Sequence, residues 1–193
     1  MTESTQRSNS PVSDQPPSRT AWHVDPRTSR VEFTIGKRLF VAPVRVTGRF
    51  SDVHGLITLD EQDPTTAQAN ITIGASSVDT GNARRDTHLR QKDYFHVDAH
   101  PTITFRSRRV DASDPSSSSY RVVGDLTVRG VTREVTLAAR YTAPQGSGDD
   151  RRLNVTLTTP LNRRDFGLTR NSWLISVAGE LTVTLSIEAT PAR

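Results

Sequence analysis

From Trp22 onward, apolar side chains recur at every second position, and a period of two admits β-strands while excluding most other regular structure. Val31, Phe33 and Ile35 share one face, with Glu32 and Thr34 on the other. Val44, Val46, Gly48 and Phe50 repeat the pattern, as do Val53, Gly55, Ile57 and Leu59, then Ala69, Ile71, Ile73 and Ala75. Ile103 and Phe105 follow, then Tyr120, Val122, Gly124, Leu126 and Val128, and next Val131, Arg133, Val135, Leu137, Ala139 and Tyr141. Leu153, Val155 and Leu157 precede the longest run, from Ile175 through Val177, Leu181 and Leu185 to Ile187. About eight strands result, each apolar on one side only, as a sheet wetted on one face requires. Helix-period segments are nearly absent, which disfavours βαβ crossovers and points to antiparallel neighbours.

The exception is the charged stretch from Asn82 to Gln91, where Leu89 stands alone as an apolar residue. It predicts a short surface helix or a lid, with Asp79 or Thr80 as its cap. Apart from Met1, the first 20 residues carry a single apolar side chain, Val12, and too little surface to offset ordering entropy. The expected organisation is a disordered leader over 1–20 and one domain over 21–193.

Composition narrows the function classes. Without cysteine, the 193 residues hold neither a disulfide framework nor a thiol nucleophile. No apolar run reaches the roughly 18 residues of a membrane span, and the start lacks the apolar stretch of a secretory signal, so a cytoplasmic location is expected. The formal charge of +4 is spread along the chain in runs of at most two Lys or Arg, which argues against nucleic acid as a partner.

Strands of this kind form a two-sheet sandwich or a closed barrel, and periodicity alone leaves both open. The inward set is mostly Val, Ile, Ala and Gly, with Phe33, Phe50, Phe105, Tyr120 and Tyr141 its only large members. Few bulky fillers in an eight-stranded barrel leave room for a lumen.

Three strings go beyond periodicity. SSVDTGNARRDTHLRQKDYFHVDAHPTITFRS from Ser76, GDLTVRGVTREVTL from Gly124 and NRRDFGL from Asn162 resemble the motifs of the YceI family, and WHVDPRTSRVEF from Trp22 is similar to its first strand. The resemblance implies an all-β, lipocalin-like antiparallel barrel of eight strands with one short helix, whose apolar interior holds a polyisoprenoid or other long-chain lipid.

Arg85 and His88 in the helical segment are the candidates for holding a polar head, since a fork of donors suits a diphosphate or carboxylate. Equally, Arg85 and Asp86 can pair with neighbouring strands and lock the helix across the barrel, and Arg163, Arg164 and Asp165 can either fix a turn with Gly167 or add positive potential near the opening. The expected lining is Phe33, Phe50, Ile73, Phe105, Tyr120, Leu126, Leu137, Val177 and Leu181. Tyr94 and Phe95 fit either a cover over the lumen or a small cluster beneath a loop. His88, His96 and His100 lack metal-ligand spacing, and no serine lies in a G-x-S-x-G context, so no metal, cofactor or catalytic residue is expected. The leading expectation is a lipid-binding protein acting as carrier or store. An enzyme acting on a lipid or quinone inside the barrel, a ligand-free interaction module and a homodimer stay open.

Overall fold

A computed structural model describes residues 19–39, 42–114, 118–169 and 175–192, except for the side chains of 37–39, 42–43, 114 and 175–177. Its strands are β1 (Arg19–Val24), β2 (Arg30–Leu39), β3 (Ala42–Phe50), β4 (Val53–Asp60), β5 (Gln68–Gly74), β6 (Val78–Asp79), β7 (Thr102–Asp114), β8 (Ser119–Val128), β9 (Val131–Gln145), β10 (Arg152–Asn162) and β11 (Ile175–Pro191). An α-helix, α1 (Ala83–Arg90), lies between β6 and β7. Residues 1–18, most of the expected leader, lie outside the described residues. β1 begins inside the stretch assigned to that leader, because Arg19 and Thr20 pair with Asp60 and Leu59 of β4.

The strands form one antiparallel sheet in the order β1-β4-β5-β7-β8-β9-β10-β11-β2-β3-β6, and a further β1–β11 pairing closes it. Three staves are bent: β1 continues into β2, β3 into β4 and β5 into β6. The eleven strands thus make a closed barrel of eight staves. β11 decides between the sandwich and the barrel. Its 17 residues pair with β10 along one edge and with β2 and β1 in succession along the other.

The alternation predicted from the sequence sets which side faces inward. Val31, Phe50, Val53, Ile57, Ile71, Ile103, Phe105, Leu137, Leu157, Leu185 and Ile187 are all buried in one core. Trp22 closes the far end of that core at 0% exposure, with the Arg151 guanidinium 5.3 Å from its ring centre. At the other end β8 turns into β9 through Arg129 and Gly130, whose φ values of 52° and 74° belong to a two-residue hairpin turn. The Arg129 side chain donates to the carbonyl oxygens of Lys92 and Gly167, gathering the segment after α1 and the turn after β10 around the same rim.

Candidate functional site

The helix is held by polar contacts, since Leu89 is its only apolar side chain of any size. Its cap is Asn82, whose side chain accepts from the Arg85 amide at 3.0 Å, and neither Asp79 nor Thr80 fills that role. Both are engaged elsewhere. Asp79 accepts from the Gly81 amide and from Arg49, which in that order hold its carboxyl below the ordinary range, and Thr80 donates its amide and hydroxyl to buried Asp86. Arg85 completes the cluster, donating to the Thr80 hydroxyl at 2.7 Å and its carbonyl oxygen at 2.8 Å. Arg90 reaches the carbonyl oxygens of Ser76 and Val78, anchoring the end of α1 to the barrel.

Inside the barrel, beneath α1, lies a cavity of about 510 Å³, within the roughly 300 to 1,000 Å³ typical of ligand pockets. Its wall is apolar over most of its area. Of the expected lining residues, Phe33, Phe50, Ile73, Phe105, Leu126, Leu137 and Leu181 are on this wall, and so are Arg85 and His88. Tyr120 instead lines a smaller chamber of about 80 Å³ further along the barrel. The Val177 side chain lies outside the described residues. Phe105, Leu137 and Leu185 line both chambers and form a waist between them.

The wall also contains residues that were not singled out in advance. Val31, Ile35, Val46, Ile103, Val128, Val135, Val183 and Leu185 belong to the alternating sets read from the sequence but were not chosen from them as lining. Thr80, Asn82, Arg84, Leu89, Phe166 and Leu168 sit on turns or the helix, where a period of two has no meaning. Tyr94 and Phe95 join the wall as well. Phe95 packs edge-on to Phe50 at 5.5 Å, and Tyr94 edge-on to His88 at 4.9 Å.

Charge on the wall has one sign. Arg84, Arg85 and Arg163 line the cavity beside His88, and no Asp or Glu does so among the described residues. Arg84 and His88 are exposed, so the cavity reaches solvent at this end. Arg163 is buried and donates to the carbonyl oxygens of Ala178 and Leu168. Burial, reinforced by the like charge of Arg164, pulls its guanidinium below the ordinary arginine value. Its turn is fixed by Asn162, which accepts from the Arg164 amide, and by Gly167 at φ 75°. Arg163 therefore both holds the turn and adds positive potential to the cavity, so the two roles weighed for it coexist. Clustered guanidinium groups over a low-dielectric pocket favour an anion.

Among the described residues, no three His, Asp or Glu side chains come together in a way that could hold a metal ion, and no helix is long and apolar enough to cross a membrane.

Known proteins share this architecture. A UPF0312 protein of Pseudomonas aeruginosa is 37% identical over 145 residues, covering 73% of this chain and 72% of its own. The crystal structure of the Campylobacter jejuni YCEI protein superposes with a TM-score of 0.69 at 26% identity, covering 77% of this chain and 86% of that one. A polyisoprenoid binding domain from Saccharophagus degradans gives 0.64 at 20% identity, over 90% and 99% of the two chains. The family description for the YceI-like domain matches residues 22–189, and the chain belongs to the YceI family.

Proposed function

We propose that the protein binds one long-chain amphiphile of the polyisoprenoid class, its tail in the lumen and an anionic head among Arg84, Arg85 and His88, and serves as a carrier or store. The observation that carries this is the cavity itself: an apolar chamber of about 510 Å³ whose charged wall residues are cationic and gathered at its exposed end. The polyisoprenoid named for the Saccharophagus neighbour supports the ligand class, and the shared fold supports binding over catalysis.

Magnitudes favour a long chain. Ten buried methylenes contribute about 8 kcal/mol gross. Association costs roughly 4 to 15 kcal/mol in lost freedom, so a short chain gains little net affinity while a longer one binds. The test is equilibrium titration with inorganic diphosphate, farnesyl diphosphate and geranylgeranyl diphosphate. Affinity should rise at least about tenfold, or ~1.4 kcal/mol, from the farnesyl to the geranylgeranyl compound, with inorganic diphosphate far weaker than either. Affinity independent of chain length would overturn the proposal.

A further inference from the structure

Beyond the waist, the barrel changes chemical character. The smaller chamber is lined by no Lys, Arg, His, Asp or Glu among the described residues. Its polar groups are Gln68, Ser107, Tyr120 and Tyr141, and the Ser107 hydroxyl already accepts from the Ala69 amide at 2.8 Å. Tyr141 stands opposite Val155 in the β9–β10 ladder, on the inward-facing set that includes Leu137 and Ala139. Its ring meets Tyr120 edge-on at 6.3 Å. Its hydroxyl is buried and finds no hydrogen-bond partner among the described residues. Leaving such a group unsatisfied carries a cost that an arriving partner recovers.

We infer that this chamber is a second subsite, in which the Tyr141 hydroxyl donates to a neutral oxygen at the distal end of the bound chain. The inference rests on the lumen being the lipid site. It adds that the barrel accepts amphiphiles polar at both ends, with an anion at the α1 end and an alcohol, carbonyl or ether oxygen at the other.

Three observations support it. A phenol keeps its proton at neutral pH, and burial pushes this one up further, to about 12 against an ordinary 10.0, so it stays a donor. Of the ionised groups acting on it, Glu61 and Arg151 are paired with each other at 2.7 Å, which leaves little net field to attract an ion. The span is also suitable. On β8, Val128 lines the main chamber and Tyr120 the smaller one, and the strand between them extends about 27 Å, or roughly 20 Å along the axis of a tilted barrel. An extended hexadecanoic acid matches that length.

The experiment titrates the delipidated full chain and its Tyr141→Phe variant with hexadecanoic acid and with its ω-hydroxy derivative, after thermal melting has shown that both proteins fold. In the variant, affinity for the ω-hydroxy acid should fall about tenfold while that for the plain acid stays within about twofold. Equal losses for both acids would assign Tyr141 a packing role and overturn the inference. No loss for either would show that water satisfies the hydroxyl, and would overturn it too. If the wild-type chain bound neither acid, this inference would fall, whereas the lumen proposal stands or falls separately on the diphosphate titration.

Discussion

Thr80 links the fold to the rim of the cavity. It donates two hydrogen bonds to Asp86 and accepts two from Arg85, so a carboxylate and a guanidinium six and five residues away along the chain are held through one threonine. Truncating Asp86 leaves the Thr80 amide without its acceptor. Asp86→Ala should lower unfolding stability by about 1 to 3 kcal/mol, read from the denaturant midpoint. Arg84 is the contrasting neighbour, exposed, on the cavity wall and without a carboxylate partner among the described residues. Arg84→Gln should therefore weaken geranylgeranyl diphosphate about tenfold in the same titration while changing stability by less than about 0.5 kcal/mol. The sequence singled out Arg85 and His88 at the mouth but passed over Arg84. Which arginine is committed to Thr80 depends on how a non-periodic turn folds back, and no spacing rule carries that information.

Among the elements, strands were the most legible. Alternation placed Phe33, Phe50, Phe105, Leu137 and Leu185 on inward faces because one wetted side forces polar residues outward at every second position. The bent staves were less legible. β1 gives way to β2 at the turn around Asp25, where the Thr28 and Ser29 amides donate to the Asp25 carbonyl, and β5 to β6 where the Gly74 amide bonds the Asp52 carbonyl oxygen at 2.8 Å. Both are contacts that alternation does not encode. The helix was visible as a charged interruption, yet its cap was not, because Asp79, Thr80 and Asn82 are all good capping residues and tertiary partners claim the first two. Asn82→Ala should cost about 1 kcal/mol of stability, measured by chemical denaturation. Through the helix it also tests the rim, since α1 carries Arg84, Arg85 and His88.

For the whole molecule, the choice between sandwich and barrel turned on the first and last strands meeting, a pairing between distant parts of the chain to which local patterning is blind. Closure produces the lumen, and the waist at Phe105, Leu137 and Leu185 divides it. A bulky side chain at the waist should obstruct a long tail while the walls on either side stay in place. Leu137→Trp is thus expected to reduce geranylgeranyl diphosphate affinity more than about tenfold and to spare farnesyl diphosphate by comparison. A cooperative melt would confirm that the added volume, which costs roughly 1 to 3 kcal/mol in a filled core, is tolerated beside a cavity. The central claim is that the lumen holds a long-chain lipid, and native mass spectrometry of protein purified from cells without detergent tests it most directly. One lipid mass per chain is expected, lost on organic extraction and absent from Leu137→Trp. A bare polypeptide mass, unchanged after incubation with geranylgeranyl diphosphate, would contradict it.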